Sequence, residues 1–383
     1  MPAFEMLGPA EIGSGRATDA YFLRTEETLA AANRDPHVCL EVTADQFPTG
    51  EFEVFAGVQD AAELLSGLSV TVTALREGQL FDGGPVMRIA GKYREIAPYE
   101  TALLGFLSQA SGYATRALRA RRLAPDVALY SFGSRHVHPA IAPVVERSAL
   151  LAGFDGISNV AAADTLGVSA SGTMPHSLIL CFGRGQQAMA WQAFDEAVDP
   201  DVPRIALCDT FTDEVDEVIQ AVEALGDHLD SVRIDTTGSR RGNFAHILRE
   251  VRWELDRRGY EDIGIFASGG IDADALVDLQ DLVAGFGIGS YITSAPPVDF
   301  ALDIVKIDGE PIAKRGKLAG EKAVYRTEAG SHHVQPTESP APPESTALME
   351  PLIDNGEIVR SFDLGDASSR AKQDAAAVGF SEP

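Results

Sequence analysis

Apolar and polar positions keep one rhythm up to about residue 124, a second up to about 295, and a third to the end of the chain. The segment from Thr18 predicts a helix that carries Tyr21, Leu23, Leu29 and Ala30. Val38 to Val42 and Glu51 to Phe55 alternate or cluster as strands, Asp60 to Leu65 reads as a short helix, and Val70 to Leu75 and Val86 to Ala90 read as further strands. Tyr99 to Leu123 is one long helical pattern, with Leu103, Leu107, Tyr113, Ala114 and Leu118 at helical spacing. Its basic end, Arg116, Arg119, Arg121 and Arg122, suits a helix C-terminus. Residues 1–124 are thus expected to form an α+β domain.

From Pro125 the texture changes to short β-rich runs alternating with amphipathic stretches of crossover length. Seven runs stand out: Val127 to Ser134, Gly156 to Val160, Val168 to Met174, Ile205 to Phe211, Val232 to Thr237, Ile263 to Gly270 and Ala284 to Ser290. Repeated βα units imply parallel strands, so residues 125–295 are expected to form an α/β barrel or an open doubly wound sheet. Ser177 to Phe182 is read as the start of a helix because Pro175 suits a first turn, and Gln186 to Ala197 continues with Ala188, Met189, Trp191 and Phe194 inward. Leu302 to Ile307 and Pro311 to Arg315, joined around Asp308-Gly309, predict a hairpin over 296–330 that returns to the first domain's sheet. Residues 331–383 read as a proline-rich linker and an acidic tail, with one weak helix near Ala367 to Val378.

A length of 383 residues with 45% hydrophobic and 23% charged residues excludes wholesale disorder, a collagen repeat and a coiled coil. No run of about 18 apolar residues occurs, and Met1 to Ala10 has no basic segment followed by an apolar one, so a cytoplasmic protein away from membranes is expected. Cys39, Cys181 and Cys208 are far apart and odd in number, which predicts reduced core residues rather than a disulfide framework or zinc site. Charge alters the picture most. The formal net charge is −26, and only six of the 31 basic residues are lysines. Non-specific nucleic-acid binding needs a basic field, so it is excluded. Such a surface suits molar salt, where screening shortens to about 3 Å, and points to a halophilic archaeon as the source.

In parallel βα architectures ligands sit at the C-terminal ends of the strands. The residues closing the runs here include Ser131 to His136, Asn159, Ser171 to His176, Asp209-Thr210, Arg233 to Arg241, Ser268-Gly269-Gly270 and Gly287 to Ser290, a cationic and hydroxyl-rich rim in an anionic chain. Ser268, Gly269, Gly270, Gly287, Gly289 and Ser290 lie in two glycine-rich turns after the last two runs, a pattern that suits a phosphate. Arg135, Arg240 and Arg241 can neutralise phosphate or clamp a carboxylate, or pair with Asp235 and Asp209. Those two acids stand where a carboxylate can hold magnesium or a ribose hydroxyl. His136 and His138 would share a strand face but lack a third metal ligand. His176, just after Pro175, can accept a phosphoryl group or donate a hydrogen bond.

Seven motifs in order, Thr18 to Tyr21, Tyr99 to Leu104, Phe132 to Arg135, Gly172 to Ser177, Arg233 to Asp235, Ala267 to Gly270 and Gly287 to Ser290, resemble the nicotinate phosphoribosyltransferase family, archaeal in style. The resemblance runs from about residue 10 to 325. It implies a type II phosphoribosyltransferase: an irregular, incomplete α/β barrel of about seven strands plus an α+β domain, normally a homodimer. The implied reaction joins nicotinate to 5-phosphoribosyl 1-diphosphate, giving nicotinate mononucleotide and pyrophosphate for NAD synthesis, with Mg2+ and with ATP as co-substrate. By the same resemblance Tyr21 stacks on the pyridine ring, and Arg135, Ser177 and Thr173 contact substrate. Arg240 or Arg241 neutralises phosphate or carboxylate, His176 is the phosphorylated histidine, and His176, Asp235 and Arg135 are the catalytic set. Residues 300–383 contain no Cys, so the zinc knuckle of some archaeal relatives, and with it any protein-bound zinc, is not expected.

The nearest rival is quinolinate phosphoribosyltransferase, which decarboxylates its acceptor and needs extra cations for a second carboxylate. A rival of another class is a phosphosugar sensor that binds the diphosphate donor and releases nothing.

Overall fold

The computed structural model describes residues 4–44, 47, 52–327 and 330–378. The chain divides into two compact units, Met1–Arg116 with Ala295–Pro383, and Ala117–Ser294.

The first unit is built on a seven-stranded sheet. His37–Ala44, in which Val38, Leu40 and Val42 are buried, is an interior strand that pairs antiparallel with the central strand Pro85–Lys92 on one side and with Phe300–Ile307 on the other. The return near residue 308 is a tight hairpin because Asp308 and Gly309 both adopt positive φ, 48° and 91°, and the chain resumes in Glu310–Pro311. Phe55, Phe81, Met87, Ile89, Leu103 and Leu107 fill the core beneath this sheet. Glu51, expected to open a strand, lies outside the described residues; the strand there is Glu53–Val54.

The expected linker and tail over 331–383 are not what the chain forms. His332–Pro336 and Ser345–Ala347 pair with Lys322–Thr327 in a three-stranded sheet, and Glu350–Asp354 joins the large sheet beside Thr71–Ala74. Leu352 and Ile353 are fully buried, and the helix Leu364–Ala377 buries Ala367, Ala371 and Ala375. Small residues at helical spacing hide a packed face that bulk hydrophobicity does not reveal. The helix expected from Thr18 also differs: it spans Ala20–Ala31, follows Asp19 without a side-chain capping hydrogen bond, and buries Phe22 while Tyr21 and Leu23 stay exposed.

The second unit holds a curled parallel sheet of six strands: β1 (Ala128–Ser131), β2 (Gly156–Ile157), β3 (Ile205–Leu207), β4 (Ser231–Ile234), β5 (Gly264–Ser268) and β6 (Gly285–Ile288). Their spatial order is β2-β1-β6-β5-β4-β3, and every pairing is parallel. A seventh strand over Val168 to Met174 does not form; Ala170 makes a single bridge to Ile157. The small side chains of Ser169 to Gly172 bury too little apolar area to hold a ladder, and Val168 is 40% exposed. Amphipathic helices cover the strands. In Glu214–Leu225, Val218, Ala221, Val222 and Leu225 face inward, and in Phe244–Arg257, Phe244, Leu248, Val251 and Leu255 do so. In Gln187–Ala197 Trp191 is buried and Met189 is not, the reverse of the expectation for Met189. Cys39 and Cys208 are buried, but Cys181, expected in the core, is exposed on the helix His176–Phe182. Among the described residues no helix is long and apolar enough to cross a membrane.

Candidate active site

Parallel pairing aligns the C-terminal ends of β1, β6, β5, β4 and β3 along one edge of the sheet. In that order the residues just beyond them are Phe132 to His136, Gly289-Ser290, Gly269-Gly270, Asp235 and Asp209. A polar network joins the last three ends. In β4, Val232 and Ile234 point into the core while Arg233 and then Asp235 alternate to the other face. Arg233 donates from Nε to Ser268 Oγ at 2.8 Å, from Nη1 to Thr173 Oγ1 at 2.6 Å and from Nη2 to Asp235, and its guanidinium stands 5.4 Å from the centroid of the Phe132 ring. Asp209, with a side chain only 1% exposed, accepts the Asp235 amide on Oδ2 at 2.6 Å and meets His176 Nε2 with Oδ1 at 2.9 Å.

That contact governs the imidazole. The hydrogen bond to Asp209 raises the pKa of His176; burial pulls the other way, and the Asp235 charge adds to the rise. If Nε2–H is the donor, Nδ1 carries the free lone pair. The side chain is 40% exposed, so a substrate can reach it.

The glycine turns divide by role. Gly269 and Gly270 have φ of +80° and +65°, and a side chain at Gly269 would collide with Asp235 Oδ1, so only glycine lets this turn close over the acid. Gly287 does something else. It is buried beneath the Phe132 ring, and Ser268 is 1% exposed with its hydroxyl taken by Arg233, so neither offers a free phosphate ligand. Gly289 fits closely against His136 and the Phe132 carbonyl, and Ser290 begins the short helix Ser290–Thr293 with its side chain exposed.

Arg240 and Arg241 part company as well. Arg241 donates to the carbonyls of Thr236, Ser268 and Gly269 and lies 4.0 Å over Phe244, which makes it a brace for the turn. Arg240, Arg135 and Ser177 are exposed, with no side-chain hydrogen bond among the described residues. His136 and His138 are not strand neighbours: His136 ends a 3-10 turn, where burial and the neighbouring Arg135 lower its pKa, and His138 Nδ1 accepts the Ala140 amide. Tyr21 belongs to the first unit, where it borders a cavity of about 480 Å³ with Tyr93 and Glu100.

Arg233 and Phe132 stand inside the sequence motifs with no role that the sequence alone assigns. An arginine alternating with buried Val232 and Ile234 two residues before an aspartate was the available signal. Beside Phe132 and Thr173 a cavity of about 360 Å³ extends to Tyr130 and Phe266, aromatic walls that suit a flat ring.

Residues 19–111 match the quinolinate phosphoribosyl transferase N-terminal domain, and 113–303 match its C-terminal domain. A nicotinate phosphoribosyltransferase of Mycobacterium tuberculosis is 31% identical over 345 residues, which cover 79% of this chain and 75% of that protein. The chain belongs to the nicotinate and quinolinate phosphoribosyltransferase family. A Pyrococcus furiosus structure described as nicotinate-nucleotide pyrophosphorylase is 47% identical over the full length of both chains, with a TM-score of 0.96. Human nicotinic acid phosphoribosyltransferase, 20% identical with a TM-score of 0.75 over 94% of each chain, shares the fold. Phosphoribosyl transfer in pyridine nucleotide synthesis is therefore the chemistry of this family.

Proposed function

We propose that the protein transfers the phosphoribosyl group of 5-phosphoribosyl 1-diphosphate to the ring nitrogen of a pyridine carboxylic acid, releasing pyrophosphate and yielding nicotinate mononucleotide. The observation that carries this reading is the convergence of Arg233, Asp235, Asp209, His176 and Thr173 at one sheet edge beside an aromatic-walled cavity. In the step, the nitrogen lone pair forms the bond to the anomeric carbon as the bond to pyrophosphate breaks, through an oxocarbenium-like state. Such a step needs orientation and charge stabilisation more than a strong base. Arg135 and Arg240, exposed guanidiniums without partners among the described residues, are the cations available for the phosphates. Arg233 holds Phe132 and Thr173 at the wall the ring would face.

Two acids compete as acceptor. Quinolinate is favoured by both matching domain families, and the description of the 47%-identical structure agrees with it. Nicotinate is favoured by the curated mycobacterial relative and by the sequence resemblance. Both would give nicotinate mononucleotide; quinolinate additionally loses its 2-carboxylate as carbon dioxide, the ring carbon taking up a proton. Incubation with each acid, following mononucleotide and carbon dioxide, separates them: carbon dioxide with quinolinate and no reaction with nicotinate selects the first, mononucleotide from nicotinate alone the second. Reaction with neither defeats the proposal.

The Mg2+ that the family resemblance implies is part of this proposal: it would be held by the phosphates of the donor together with one or two carboxylates, for which Asp235 is the acid at this edge, and it would neutralise charge on the departing pyrophosphate. ATP coupling belongs to the nicotinate reading and rests on His176, whose Nδ1 would accept the phosphoryl group. The homodimer is likewise part of the proposal, and light scattering tests it.

A further inference from the structure

We propose that Glu217 is a positioning residue for the His176 site, acting through Asp209; this rests on the phosphoribosyl-transfer reading above. Glu217 lies in the helix Glu214–Leu225, is fully buried, and takes no part in the chemistry described so far. Its carboxylate is filled by one loop. Oε2 accepts the Thr210 amide at 2.9 Å, and Oε1 accepts the Phe211 amide at 2.6 Å and the Thr212 amide at 2.9 Å. Gln187 Nε2 and the Thr212 hydroxyl complete the set at 3.3 and 3.4 Å. Three consecutive backbone N–H groups thus converge on a single buried anion, and each side of this contact needs the other.

Those amides begin at the residue after Asp209. On the other side, the Cys208 amide is bonded to the Arg233 carbonyl, so the Asp209 backbone is clamped between β4 and Glu217. This clamp aims Oδ1 at His176 and Oδ2 at the Asp235 amide. A loose loop would release both at once. A purely structural loop closure would instead leave the imidazole unaffected, because no atom of Glu217 touches it.

The test is Glu217→Gln, which sets an amide N–H against the loop amides. It is read by the histidine proton titration of His176, assigned by its loss in His176→Asn, and by steady-state kinetics. The groups facing His176 are Asp209, Asp235 and Arg233. The expected result is a roughly tenfold fall in kcat with a smaller change in KM for the donor, and a His176 midpoint lower than in the unmutated protein. Should Glu217→Gln not fold, Gln187→Ala removes one bond from Oε1, and the same direction of change in midpoint is expected. An unchanged His176 midpoint with only a lower melting temperature overturns the proposal. The titration needs no turnover, so a protein inactive with both pyridine acids would sink the reaction reading while the positioning role is still decided.

Discussion

His176 Nε2 and Asp209 Oδ1 stand 2.9 Å apart across the mouth of β3, and the aspartate side chain is sealed from solvent while the imidazole is not. The pair gives the ring a fixed tautomer and leaves one nitrogen facing outward. Because Asp209 raises the folded-state pKa of His176 above its unfolded value, the pair's stabilisation is fully present below the usual histidine range and fades as pH climbs through the raised value. With the 40% exposure of the imidazole screening the pair, Asp209→Asn is therefore expected to cost about 1 kcal/mol or less from this pair in acidic buffer, and less again at alkaline pH. Urea unfolding at two pH values checks it, and a cost that grows with pH contradicts it.

The two neighbouring glycines make an internal control. Both have positive φ, but a methyl at Gly269 meets Asp235 Oδ1 and the Arg241 guanidinium, whereas none of the surrounding atoms lies within 4 Å of one at Gly270. Gly270→Ala is expected to suffer backbone strain of about 1–2 kcal/mol alone. Gly269→Ala should add displacement of Asp235 and lower kcat/KM by roughly tenfold more. Equal kinetics for the two variants would remove Asp235 from the site.

Glu100 opens the helix Glu100–Leu123 in the first unit, and its pKa is raised to about 7, chiefly by burial and then by Asp303. Its folded-state value lies above the unfolded one, so ionising it costs stability, which falls as pH rises from 4.5 to about 7. Glu100→Gln should stabilise the protein by on the order of 1–2 kcal/mol above pH 7, allowing for partial exposure, and give nothing near pH 4.5. Melting curves across that range test this, and a gain confined to acid would reverse the sign.

The strand ends were readable because period-2 apolar runs broken by glycine or aspartate mark where a parallel strand stops, as at Ser268-Gly269-Gly270 and Asp235. Val168 to Met174 misled because its composition resembles a strand while its small side chains leave little to bury. The packed end of the chain was hidden for a related reason. Arg360, which bonds the carbonyls of Ala74, Leu75, Glu350 and Pro351, anchors that segment through backbone contacts that no local pattern announces. Arg233 and Glu217 were missed because a polar residue in an apolar element can be read only when its partners, Thr173 and Ser268 for one and residues 210–212 for the other, are brought in from distant sequence.

The most direct measurement is pyrophosphate release from 5-phosphoribosyl 1-diphosphate in concentrated KCl, with and without quinolinate or nicotinate. Release that requires one of these acids, matches the mononucleotide formed mole for mole, and collapses in Arg233→Ala is the predicted result. Release that no pyridine acid stimulates, or full activity in Arg233→Ala, would contradict it.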